Sequence, residues 1–118
     1  MIEVIVNRAP YGIKEVCISG HANAAAYGSD IVCSAVSAIS FGILNAIHPL
    51  LGIVPQVSQA PKDGGFLRWS ISSLEDAELH EKQQLLAESM VISLLAVAEQ
   101  YGSYVSVQDD KWQGGASQ

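Results

Sequence analysis

The chain has 118 residues, 49% of them hydrophobic and 15% charged, a balance that excludes a disordered chain and leaves room for one compact domain but not two. Six Lys and Arg against twelve Asp and Glu give a formal net charge of -6, the reverse of what a nucleic-acid binder carries. The acidic surface favours neutral or basic partners instead. Met1 to Asn7 has no basic region followed by a long apolar run, so no signal peptide is expected and the chain is assigned to the cytoplasm. Cys17 and Cys33 are then expected to be free thiols.

Ile2, Val4 and Val6 alternate with Glu3, Ile5 and Asn7, and Ile13, Val16 and Ile18 follow the turn residues Ala9-Pro10-Tyr11-Gly12, which predicts an opening β-hairpin. From Asp30 to His48, apolar residues cover most of a helical circumference, so this helix is expected to be mostly buried. The apolar stretch Ile31 to Ile53 is broken by Ser34, Ser37, Ser40, Asn45, His48 and Pro49, which argues against a membrane span. Pro49 and Gly52 are expected to stop the helix. A strand over Val54 to Ala60 and a turn at Pro61-Lys62-Asp63-Gly64-Gly65 follow. Leu67, Trp69 and Ile71 then share one face of a half-buried strand. A long helix is expected from Ser73 through Tyr101, with Glu75, Asp76 and Glu78 complementing its dipole and Gly102 just past its end. Tyr104 to Gln108 completes the pattern as a short strand.

The order β-β-α-β-β-α-β predicts an α+β domain over residues 1–110, two-layered, with two helices packed on a mainly antiparallel sheet of four to five strands. Residues 111–118 are expected to form a disordered tail.

Chemistry concentrates between residues 20 and 37. With Asp30 as helix cap, Cys33 occupies the third helical position, where free amides and the helix dipole favour a thiolate. His21 at the preceding strand end is close enough in sequence to fold back as its general base. Spacing alone equally allows Cys33 to be a small buried hydrophobe and His21 a hydrogen-bonded loop histidine. Asp30 either caps the helix or orients His21, and the two roles are compatible. Ser37, four residues beyond Cys33, shares its helix face and either bonds its own backbone or lines the thiol's pocket. Ser34 is a candidate for the backbone amide of an oxyanion hole.

The remaining candidates have simpler explanations. Cys17 lies mid-strand as a packing residue, His48 belongs near helix-terminal carbonyls, and His80 falls in an acidic, exposed turn. His21, Asp30 and Cys33 lack the paired spacing of a metal site, and Gly64-Gly65 does not sit between a strand and a helix as a phosphate loop would. No metal or other cofactor is expected.

Gly20-His21-Ala22, then Gly28, then Asp30-Ile31-Val32-Cys33-Ser34-Ala35-Val36-Ser37, resemble the signature of the ribosomal-processing cysteine protease family, Prp. The resemblance implies a cytoplasmic cysteine endopeptidase of Gram-positive and related bacteria. Its substrate would be a small, basic large-subunit ribosomal protein, from which it removes a short N-terminal extension. It further implies a homodimer, no direct contact with nucleic acid or membrane, and a mobile loop from Ala22 through Gly28 to Ser29. By position, His21 matches the family's base and Cys33 its nucleophile, while Gly20, Asp30 and Ser37 match supporting positions. Two other readings compete: a non-catalytic ribosome-assembly or protein-binding module, and a thiol redox protein that pairs Cys17 with Cys33.

Overall fold

The computed structural model describes residues 1–20, 29–59, 66–112 and 114–115, and the side chains of residues 29, 30, 114 and 115 lie outside that description. Its elements are β1 (Ile2–Ala9), β2 (Gly12–Ser19), α1 (Ser29–Leu51), β3 (Gln56–Gln59), β4 (Phe66–Ser70), α2 (Ala77–Gln100), β5 (Val105–Gln108) and β6 (Gly114–Gly115). The expected order holds through β5. It is extended by β6, which pairs with β5 in the stretch expected to be disordered.

The strands form one mixed sheet in the order β3-β4-β2-β1-β5-β6. Every pairing is antiparallel except β1 with β5, where Ile2 to Ile5 run alongside Val105 to Gln108. Strand alternation sends Ile2, Val4, Val6, Ile13, Val16, Ile18, Leu67 and Trp69 into one core, where they meet Val32, Val36, Leu44 and Ile47 of α1 and Met90, Val91 and Leu94 of α2. Both helices therefore cover the same face. The other face carries Glu3, Asn7, Arg68 and Ser70 exposed, with Glu15 and Cys17 half-buried among them.

Helix α1 corrects one expectation. Only a stripe is buried, made of Val32, Val36, Ser40, Leu44 and Ile47, while Ile31, Phe41 and Leu50 are exposed. The stripe recurs at steps of four and three residues, the single face that a helix lying on a sheet presents. The 21 residues from Ile31 to Leu51 are apolar enough, by length and composition, to cross a membrane, but this stripe is packed into the core. Pro49 does not end the helix. Gly52 does, at φ +72°, with its N–H donating to the His48 carbonyl at 2.8 Å.

Helix α2 starts four residues later than expected, because Asp76 is its cap and accepts from the Leu79 N–H at 2.9 Å. His80 is half-buried, not in an exposed turn. Its Nδ1 accepts from the Leu74 N–H at 3.3 Å, and its Nε2 lies 3.0 Å from the Tyr11 carbonyl. The imidazole thus clips the first hairpin to the start of α2, as does Gln84, which exchanges two hydrogen bonds with the Ile13 backbone.

Among the described residues, the largest polar cluster lies on β1, α2 and the segment after β5. Arg8 forks to Glu88 through two hydrogen bonds of 2.8 Å and to Asp109 through two of 2.8 and 2.9 Å. Trp112 Nε1 donates to Glu88 at 3.3 Å, so the cluster also holds down the chain leading to β6.

Candidate active site

The sheet ends decide where the site lies. Gly20 closes β2 at φ +90°, and a Cβ built there would strike the Met1 carbonyl oxygen, so both conformation and space demand glycine. Gly20→Ala is expected to destabilise the fold by about 1 to 3 kcal/mol in urea unfolding. An unchanged midpoint would show that the strand end can shift without cost.

Beside Gly20, the N-terminal half of α1 stands over the ends of β1, β2 and β4, and between them lies a cavity of about 230 Å³. Cys33, Ser37, Ser40 and Phe41 line it from the helix. Ile2, Ile18 and Leu67 form its apolar floor, with Phe66 and Gln59 at the strand ends. Cys33 is a free, half-buried thiol. Ser40 is buried and its hydroxyl bonds back to the Val36 carbonyl at 2.7 Å, whereas Ser37 lies exposed on the cavity one turn beyond Cys33.

The structure thus brings Gly20, Cys33 and Ser37 to one cavity. His21, Ala22 and Gly28 lie outside the described residues, as do the side chains of Ser29 and Asp30. Because α1 begins at Ser29, Asp30 falls inside the first turn instead of at the cap, and Cys33 is the fifth helical residue instead of the third. The amides of an α-helix that lack an intrahelical acceptor are confined to its first turn. The Ser34 N–H lies beyond it, bonded to a carbonyl four residues back, and is not offered to an oxyanion.

Cys17 cannot serve with Cys33. Its neighbours Val16 and Ile18 point into the core, so the Cys17 side chain lies on the opposite face of the sheet, and a disulfide would have to cross the sheet. Burial pushes the Cys17 thiol up, partly offset by a hydrogen bond from Arg68, which keeps it protonated at neutral pH. Among the described residues, no three His, Cys, Asp or Glu side chains group as a metal site.

The sequence did not single out Phe41, Gln59, Phe66 and Leu67 as site residues. Phe66 and Leu67 are legible as strand residues, but their role comes from strand order, which places the start of β4 beside the end of β2.

Comparison with known proteins gives the chain its class. A family profile described as cysteine protease Prp matches residues 1–106. The ribosomal processing cysteine protease Prp of Bacillus subtilis is 36% identical over 102 residues, covering 86% of this chain and 90% of that protein. The protein of the same name from Staphylococcus aureus is 32% identical over 93 residues, covering 79% and 83%. A crystal structure of an essential ribosomal processing protease Prp from S. aureus, in complex with a covalently linked product peptide, superposes with a TM-score of 0.76 at 30% identity, covering 92% of this chain and 98% of that one. SMU.848 from Streptococcus mutans superposes with a TM-score of 0.78 at 29% identity, covering 92% of each chain. The molecule is accordingly a cysteine protease. It belongs to the Prp family of ribosomal processing cysteine proteases.

Proposed function

We propose that this protease removes a short N-terminal extension from a bacterial large-subunit ribosomal protein in the cytoplasm, with Cys33 as nucleophile and His21 as general base. The observation that carries the reading is the shared cavity: Cys33 and Gly20 both line it, and His21 follows Gly20 directly in the chain. The names of the B. subtilis and S. aureus relatives support the substrate class.

In this mechanism His21 takes the Cys33 proton and the thiolate attacks the scissile carbonyl. The imidazolium then protonates the leaving amine, and water releases the acyl-enzyme. The first-turn amides of α1 are the helix's available donors to the oxyanion. Ser37 lines the cavity beside the nucleophile, and the apolar floor accepts an apolar substrate side chain next to the scissile bond. A homodimer is part of the same reading.

Incubation with the organism's own extended ribosomal protein, read by intact mass, tests the function. Release of a single N-terminal peptide supports it, and an uncut substrate under reducing conditions rejects it. A chain of net charge -6 acting on a basic protein also predicts electrostatic steering, so kcat/KM should fall between low and physiological salt. A salt-independent kcat/KM would remove steering from the account and leave the protease assignment in place.

A further inference from the structure

Strand β3 ends in the site. Gln59, its last residue, lines the cavity that holds Cys33, and all four β3 residues pair with β4 on one side only. No described strand lies along its outer edge, and at the opposite margin the sheet ends in the two-residue β6. The residues are Gln56-Val57-Ser58-Gln59. None is a charged residue or proline, the devices that ordinarily guard an open edge.

The faces of β3 fit an extended ligand. Val57 is half-buried against the core, and Gln59 shares its parity, so both side chains belong to the face that α1 overlies. From the helix, Ser37 and Phe41 line the same cavity and are exposed. The cavity thus has helix on one wall and the end of β3 on the other, the groove into which a strand laid along β3 would lead. Four residues of strand span about 13 Å, the length of four substrate residues beside the scissile bond.

Resting on the proteolytic function proposed above, we infer that the substrate binds by strand addition. One flank of the scissile bond lies along the outer edge of β3, and alternate side chains enter the groove between β3 and α1. Main-chain hydrogen bonds to β3 then hold the peptide in register, and the groove reads every second side chain.

The test is a backbone N-methyl scan of a peptide spanning the cleavage point, which perturbs the substrate and leaves the protein's folding untouched. On one flank, methylation at every second residue should lower kcat/KM about fivefold through KM, the value of one lost hydrogen bond, with little effect at the intervening residues. Val57→Pro and Ser58→Pro add a protein-side reading. The variant that keeps the wild-type unfolding transition has lost an outward N–H, and one periodic position should vanish from its scan. A scan without alternation on either flank, while the unmethylated peptide is cut, overturns strand addition alone, and so does a folded proline variant whose scan matches wild type. If the unmethylated peptide is not cut, the proposed function fails and strand addition falls with it.

Discussion

Cleavage of the extended ribosomal protein is expected to fall by about a thousandfold or more in Cys33→Ala, with the urea midpoint nearly unchanged. Cys33 packs only partly against the core, so trimming it costs little stability, while removing the proposed nucleophile would remove the acyl-enzyme route entirely. His21→Ala should lose roughly a hundred- to ten-thousandfold at neutral pH. Cys17→Ala should cut like wild type, because its thiol lies across the sheet from the cavity. Intact mass over a time course distinguishes these outcomes. Cleavage by folded Cys33→Ala at the wild-type rate would reject the nucleophile and favour a binding role for the site.

Arg8→Ala should cost about 3 to 5 kcal/mol of folding stability at pH 7, the range found when one partner of a buried ion pair is removed. The Arg8 and Glu88 side chains are 17% and 24% exposed and that of Asp109 is fully buried, so solvent screens the cluster little. Hydrogen bonds from Arg8 hold Glu88 below the usual carboxylate range. At Asp109 burial acts upward, but the bonds from Arg8 and from the backbone of Lys111 and Trp112 outweigh it and also hold it low. A depressed folded pKa means that the unfolded chain binds protons first. The cluster's stabilisation is therefore complete above the ordinary carboxylate value of about 4 and is lost as pH falls through the lower folded values. The gap between wild type and Arg8→Ala should accordingly be widest near neutrality and close in acid. A gap of equal size at pH 7 and pH 3 would mean that Arg8 acts through packing and not through charge.

Local signals in the sequence carried far into the fold. The alternation of Ile2, Val4 and Val6 and of Leu67 and Trp69 locates the buried sheet face, because a strand's period depends on nothing but its own backbone. The apolar density from Ile31 to Leu51 announces a helix but overstates its burial, since composition does not say how many sides have a neighbour. The start of α2 at Asp76 was missed because Ser73, Glu75 and Asp76 all suit a helix entrance, and only the Leu79 N–H chooses among them. Spacing alone left Cys33 open between a nucleophile and a small buried hydrophobe, and it was the resemblance of residues 20 to 37 to the Prp signature that singled it out. The cavity walls were not legible. Gln59 and Phe66 reach Cys33 through the order β3-β4-β2, a relation between strands that no local pattern encodes. The Arg8 cluster was equally hidden, as it joins residues 101 positions apart.

The parallel pairing of β1 with β5 also sets a timetable. Ile2 lies opposite Val105, and the Ile2 N–H donates to the Tyr104 carbonyl at 2.7 Å, so the first strand synthesised waits for almost the last. During translation, the β1-β2 hairpin and α1 can form as each emerges, but β1 keeps one bare edge until residue 105 has left the ribosome. Such distant closure is slow, and a chain arrested before β5 would expose an unfinished sheet margin to its neighbours. The enzyme thus reaches working form only once β5 is free to pair, and a truncation at residue 100 should yield aggregates instead of a weaker protease.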